Sequence, residues 1–345
     1  MVRFVVHGGY GKTATTFLQS NVFPHLNDVL YFGKYEDLTM LSDELKNMYH
    51  SVFLSVVDRS INDMCARNSS LLIPLLGDIL IGEMKQAKKN IVLLSHECLF
   101  DYVHHHAELN QLLLLKLFKY LQDNYDEKME FKVMMTIRNQ KEALKSLYAF
   151  DFTRLKNRFD SFEKFIKYGL KNKHQTIFGG YHYDLVLEDL KYIYGSNNVQ
   201  FFVYEKMKED IKAYLYDIFD FIGTNQRIDD LNYTQKVNTN SNEGAHRIRE
   251  LKSGFFISFF AKIYRYNKPT LQPLERIRMI QNLKNILDSY ARNNMKVIDR
   301  GSLGDFPQEL VADIDNMYKN SNDRLSQMLN TDLEKYGYVG GRYVP

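Results

Sequence analysis

Cysteine is nearly missing from this sequence: Cys65 and Cys98 are the only two in 345 residues. No disulfide framework can hold such a chain, and a reducing compartment is expected. Tryptophan is absent, and proline numbers only six. With 45% hydrophobic and 25% charged residues, the composition excludes a disordered, collagenous or coiled-coil chain. A charge excess is also missing, because 45 Lys+Arg oppose 42 Asp+Glu for a net of +3, which argues against a dedicated nucleic-acid binder. No run reaches the roughly 18 apolar residues of a membrane-spanning helix. Met1-Val2-Arg3-Phe4-Val5-Val6 runs straight into a strand pattern, without the apolar region and cleavage site of a secretory signal. A cytoplasmic location is the expectation. Tyrosine (24) and phenylalanine (23) are plentiful, most of them expected as core fillers and a minority as rings that stack on a base or sugar.

Short apolar runs alternate with helical patterns through the first two-thirds of the chain. Strands are expected at 3–6, 29–32, 91–94, 131–137 and 199–204. Ile91-Val92-Leu93-Leu94 lacks polar alternation, as in strands buried on both faces. Helices are expected at 13–21, across most of 45–89 with a break near Asn68-Ser69-Ser70, and at 107–124, 140–150, 183–194 and 208–222. This order predicts an α/β fold, a central parallel sheet flanked by helices. Strand signals stop beyond Asn225. The expected organisation is an α/β core at 1–230 with a helical C-terminal extension at 231–345, the two packed as one structural domain.

His7-Gly8-Gly9-Tyr10-Gly11-Lys12-Thr13-Ala14-Thr15-Thr16 lies between the first strand and the first helix. Glycines let a backbone approach a phosphate, a helix start offers free N–H groups, Lys12 adds charge, and Thr13, Thr15 and Thr16 add hydroxyls. An anion site is the reading. A full Walker A motif would need Gly five residues before Gly11, where Val6 stands, and no strand ends in an Asp suited to magnesium. A second anion-binding element is Arg138 at the end of one strand with Ser146 eight residues on, in the next helix.

Tyr10-Gly11-Lys12-Thr13-Ala14-Thr15-Thr16 resembles the 5′-phosphosulfate loop of sulfotransferases that use 3′-phosphoadenosine 5′-phosphosulfate (PAPS), whose pattern is Tyr-Pro-Lys-Ser/Thr-Gly-Thr-Thr. Gly11 stands for the usual Pro and Ala14 for the usual Gly. Arg138 and Ser146 are similar to the family's 3′-phosphate segment. Residues 202–210, with Tyr204, resemble its late strand and Tyr-Glu turn, and 306–324 resembles the closing helix of bacterial glycan sulfotransferases. Arg300 and Gly301 are loosely similar to its Arg-Lys-Gly segment, without the Lys. The resemblance is fullest at 3–19 and 132–150, and poor where acceptor specificity resides.

The resemblance implies a P-loop-type fold and transfer of a sulfuryl group from PAPS to a hydroxyl, expected on a sugar of a bacterial polysaccharide, oligosaccharide or glycolipid. The product would be 3′-phosphoadenosine 5′-phosphate, and no metal is required. PAPS contacts are expected from Gly9, Tyr10, Gly11, Lys12, Thr13, Ala14, Thr15, Thr16, Arg138, Ser146, Tyr204, Arg300 and Gly301. Lys12 would stabilise the leaving phosphate. The base is Glu97 or His96, at the carboxyl end of a buried strand, with Glu97 preferred. His104-His105-His106 reads as a polar loop rather than a metal site, and Arg154, Lys156 and Arg158 as a solvated basic cluster. The aromatic stretch 254–266 reads as a core helix, or else as a peripheral membrane contact. Two rival readings stay open, a kinase that binds ATP with magnesium and a non-catalytic nucleotide- or glycan-binding module.

Overall fold

The computed structural model describes residues 1–33, 62–96, 99, 107–150, 159, 161–173, 176–231, 247–251, 295–299 and 308–342. Its centre is strand β1, Val2–Gly9, of which only Arg3 is not fully buried. Apolar residues fill both faces because neighbours cover both, as parallel sheets require. The Thr15–Phe17 turn (α1) continues as a π-helical turn over Leu18–Val22 and leads to β2, Val29–Gly33. Helix α2, Asn62–Ala87, precedes β3, Ile91–Ser95, and α3, Ala107–Asn124, precedes β4, Met129–Ile137. After β4 come α4 (Gln140–Phe150), α5 (Phe162–Lys171), α6 (Tyr183–Tyr194) and β5 (Val199–Val203). Then follow α7 (Tyr204–Glu209) and α8 (Ile211–Ile222).

All five strands are parallel, in the order β2-β3-β1-β4-β5. The chain leaves β1 towards β2 on one side and leaves β4 towards β5 on the other. The loops after β1 and β4 therefore diverge, and a crevice opens at their carboxyl ends, the usual ligand position in open α/β sheets. The expected α/β class is the observed one. Beneath the sheet, Val5, Leu93, Met134 and Phe202 join Leu18, Val22, Phe23, Leu215, Ile218 and Phe219 in one apolar cluster.

Several local expectations are corrected. The helix is continuous through 68–70, since three poor helix formers do not outweigh a 26-residue segment. The 208–222 helix is two helices. Asp210 caps the second by accepting from the Lys212 and Ala213 N–H groups at 2.9 and 3.0 Å, and Tyr204 belongs to the first rather than to β5. Gly223 ends α8 in the left-handed region (φ 80°), and a Cβ there would fall 1.4 Å from Nη1 of Arg3, which donates to the Ile222 carbonyl at 2.9 Å.

The chain divides into two compact units, one of residues 1–148, 162–238 and 306–345, the other of 149–161 and 239–305. In the first unit, α9 (Gln308–Leu329) packs on α6. The buried Asp184 accepts from Ser321 and, at 2.7 Å, from Nε of Arg324. The second unit holds strands where none were expected: β6 (Arg247–Leu251) pairs antiparallel with β7 (Met295–Asp299), Arg247 opposite Asp299. Among the described residues no helix is long and apolar enough to cross a membrane.

Candidate active site

The loop after β1 is built on two residues in a conformation that L side chains disfavour: Lys12 has φ 72° and Ala14 φ 63°. Strain of this kind concentrates at functional sites and persists only where the surroundings enforce it. Part of the enforcement is visible. The buried Thr13 donates its hydroxyl to the Tyr10 carbonyl at 2.6 Å, closing the turn, so its proton serves the loop itself. Gly9 is tightly enclosed, since a Cβ there would lie 3.0 Å from Cγ2 of Thr15. Gly11 and Lys12 are exposed, and a Cβ on Gly11 would meet nothing within 4 Å. Thr15 is buried and Thr16 half-buried.

Ala14 allows a direct test. A left-handed backbone costs a non-glycine residue about 1–2 kcal/mol, while glycine loses about 0.5–1 kcal/mol more chain entropy on folding. Ala14→Gly should therefore stabilise the protein by about 0.5–1 kcal/mol, read as a higher urea midpoint at unchanged slope. A lower midpoint would show that the loop does not hold this conformation.

Tyr10 points inward. Its ring is fully buried, stacks on Tyr181 at 5.4 Å and meets Tyr183 edge-on at 4.9 Å, and its hydroxyl donates to the Gly180 carbonyl at 2.6 Å. Only its backbone is left to face a ligand. Tyr183 in turn donates to the carbonyl of Arg138 at 2.7 Å. One buried tyrosine cluster thus braces both the loop after β1 and the end of β4.

Arg138 is the junction of the site. Its Nη1 donates to the Lys12 carbonyl at 3.2 Å, its Nη2 meets Glu142 at 3.2 Å, and its guanidinium lies over the Tyr204 ring at 5.1 Å. The side chain is only 14% exposed. Its Nε is buried and has no hydrogen-bond partner among the described residues. Glu142 meets one edge of this cation, but the orphan Nε donor stays costly until a further acceptor completes it. Lys208 approaches the same Tyr204 ring at 4.9 Å. Ser146 is half-buried, on α4. The structure therefore brings together the 9–16 loop, Arg138 and Tyr204.

On the other side of β1, His96 follows β3; it is 5% exposed, and its N–H donates to the His7 carbonyl at 3.0 Å. Glu97, Arg300, Gly301, the histidine run 104–106, the basic cluster at 154–158 and the aromatic stretch 254–266 lie outside the described residues. Among the described residues no group of His, Cys, Asp and Glu side chains could hold a metal ion. A polar cluster that sequence reasoning missed lies below. His7 Nδ1 is 2.7 Å from Ser95 Oγ, which accepts from Gln19 Nε2 at 3.0 Å, and all three side chains are buried. Burial pushes the His7 pKa down to about 3, so the ring is neutral at physiological pH. The available signal was the register: His7 and Ser95 each follow an apolar run and stand opposite each other in a parallel pair.

A parallel sheet carrying a strained loop after its central strand, with a covered arginine at the end of the neighbouring strand, is the α/β class of fold expected from the sequence. The chain belongs to the sulfotransferase family: the sulfotransferase domain matches residues 5–258. It is a sulfotransferase. The sulfotransferase domain from the Synechococcus PCC 7002 olefin synthase is 15% identical, with 68% of this chain and 78% of that one covered at a TM-score of 0.36. A sulfotransferase from Alicyclobacillus acidocaldarius is 14% identical over 80% of this chain and 95% of that one, at a TM-score of 0.39. Both scores are low, and the assignment rests on the domain match. No curated protein matches the chain by sequence.

Proposed function

We propose that this sulfotransferase takes PAPS as donor and passes the sulfuryl group to a sugar hydroxyl of a glycan or glycolipid. The observation that supports the donor is the largely covered guanidinium of Arg138, with its unpartnered Nε, hydrogen-bonded to the backbone of the strained loop. PAPS, when bound, supplies an activated sulfuryl group on a phosphate leaving group.

Lys12 and the N–H groups of the 9–16 loop neutralise charge growing on the leaving phosphate, preorganised donors being often the largest catalytic contribution. Arg138, with Ser146, holds the 3′-phosphate, and Tyr204 supports Arg138 from below. Glu97 takes the proton of the acceptor hydroxyl; the near-complete burial of His96 supports that preference. Arg300 and Gly301 are retained as further donor contacts. The reading places the enzyme in the cytoplasm, with the 254–266 stretch as the part that would meet a membrane holding a lipid-linked acceptor, and without nucleic-acid partners.

Titration with adenosine 3′,5′-bisphosphate and with ATP, each with and without magnesium, tests the donor. A ligand at 100 times its dissociation constant stabilises a fold by roughly 2.7 kcal/mol, which a melting curve resolves. The bisphosphate should stabilise the protein without metal, and Arg138→Ala should remove the effect. Stabilisation by ATP with magnesium alone would replace this reading with a kinase.

A further inference from the structure

Asn139, the residue after Arg138, has every polar atom engaged. Its N–H donates to Oε1 of Glu205 at 3.0 Å, and its side-chain oxygen accepts from the N–H groups of Lys141 and Glu142 at 3.1 and 3.4 Å, capping α4. Its carbonyl accepts from the Ala143 N–H at 2.8 Å. Its side-chain amide donates to the carbonyl of Gly337. The other oxygen of Glu205 accepts from the Tyr338 hydroxyl at 3.2 Å. Residues 337 and 338 thus grip the turn that carries Arg138 at two points, across nearly the whole sequence.

The gripping segment is itself firmly held. Tyr338 is fully buried, Ser326 Oγ and the Leu333 N–H donate to the Gly341 carbonyl at 2.7 and 2.8 Å, and Asn322 donates to the Val339 carbonyl at 3.1 Å. Asn322 also accepts from Gln140, the first residue of α4, at 2.7 Å. Glu205 adjoins Tyr204, the ring beneath the Arg138 guanidinium. Burial raises the Glu205 pKa while Arg138, among others, draws it down.

We propose that Glu205 and Tyr338 are positioning residues for Arg138, through which the 333–341 segment sets how strongly the site recognises a nucleotide's 3′-phosphate. This rests on the reading that Arg138 meets that phosphate. Neither side chain touches the ligand; each fixes the backbone from which Arg138 projects, and displacements on the order of 1 Å are enough to weaken such a contact.

The test is calorimetric titration of the whole chain with adenosine 3′,5′-bisphosphate and with adenosine 5′-monophosphate, which lacks the 3′-phosphate. Tyr338→Phe and Glu205→Gln, both close in shape, should weaken the bisphosphate about 5- to 15-fold and leave the monophosphate within about twofold. Arg138→Ala should abolish the preference, and adding Glu205→Gln to it should then change nothing further. A structural role alone would weaken both nucleotides equally or only lower the melting temperature. An unchanged preference in both conservative variants, with the preference lost in Arg138→Ala, overturns the positioning role and leaves the site reading intact. If the parent shows no preference for the bisphosphate, the site reading itself fails.

Discussion

Lys12→Ala should slow sulfuryl transfer by about 10²–10³-fold and barely move the melting temperature. The two halves of that expectation have separate origins. Lys12 is exposed, so its removal leaves no cavity. Alanine at φ 72° carries the same backbone penalty as lysine, so the strain of the loop is unchanged as well. On the proposed reading, what disappears is a full positive charge beside the leaving phosphate, where charge grows as the sulfuryl group departs. The loss should therefore fall on kcat rather than on donor affinity. Arg138→Ala should show the converse, a loss of affinity, because its guanidinium ties down the Lys12 carbonyl and, in the proposed reading, holds the nucleotide. Release of 3′-phosphoadenosine 5′-phosphate from PAPS in water, without acceptor, measures both effects before the acceptor is identified. A Lys12→Ala rate within threefold of the parent would remove lysine from the catalytic role.

Much of this site was legible in the sequence because its parts are local. A glycine loop ending a buried strand, with lysine and threonines after it, is one continuous string. An arginine at the end of a later apolar run is another. The strands were readable because parallel strands covered on both faces become uninterrupted apolar runs, as at Ile91–Ser95. Helices at Ala107–Asn124, Gln140–Phe150 and Tyr183–Tyr194 begin and end where their apolar spacing says. The bonds that assemble the site were not legible, because they join residues far apart. Arg138 to Lys12 spans 126 residues and Asn139 to Gly337 spans 198. Tyr10 sits in a ligand-type motif yet faces the core, and no spacing rule marks such an inversion when its partners, Tyr181 and Tyr183, lie elsewhere in the chain. The split of the 208–222 helix had a signal in Asp210 before an apolar run, a capping pattern outweighed by the length of the helical periodicity. Strands β6 and β7 alternate too weakly, as Arg-Ile-Arg-Glu-Leu and Met-Lys-Val-Ile-Asp, to announce themselves.

Acid should destabilise the fold through His7 more than through any surface ion pair. In the unfolded chain this ring titrates near 6.5, whereas in the fold burial holds its pKa at about 3. Between those values the unfolded state carries the extra proton, so stability is complete above pH 6.5 and falls as the pH drops towards 3. At pH 5 the loss relative to pH 8 is about 2 kcal/mol, 1.5 pH units at about 1.36 kcal/mol each. The Glu205 pKa is raised by burial, so this residue acts in the opposite sense: its contribution is full below the ordinary glutamate range and declines as the pH climbs through the raised value. The two dependences are separable by substitution. His7→Gln removes the titrating ring yet keeps a side chain able to hydrogen-bond Ser95, and urea unfolding of this variant at pH 5 and at pH 7.5 should show about 2 kcal/mol less pH dependence than the parent. Parallel curves for parent and variant would mean that His7 is solvated in the folded protein. The site of the loss matters as well as its size. His7 ends two residues before the loop that carries Lys12 and is bonded to Ser95, the residue before His96. Protonating it would place a charge between β1 and β3, beneath the loop that carries Lys12 and beside His96. Activity should therefore fall with pH at least as early as global stability does.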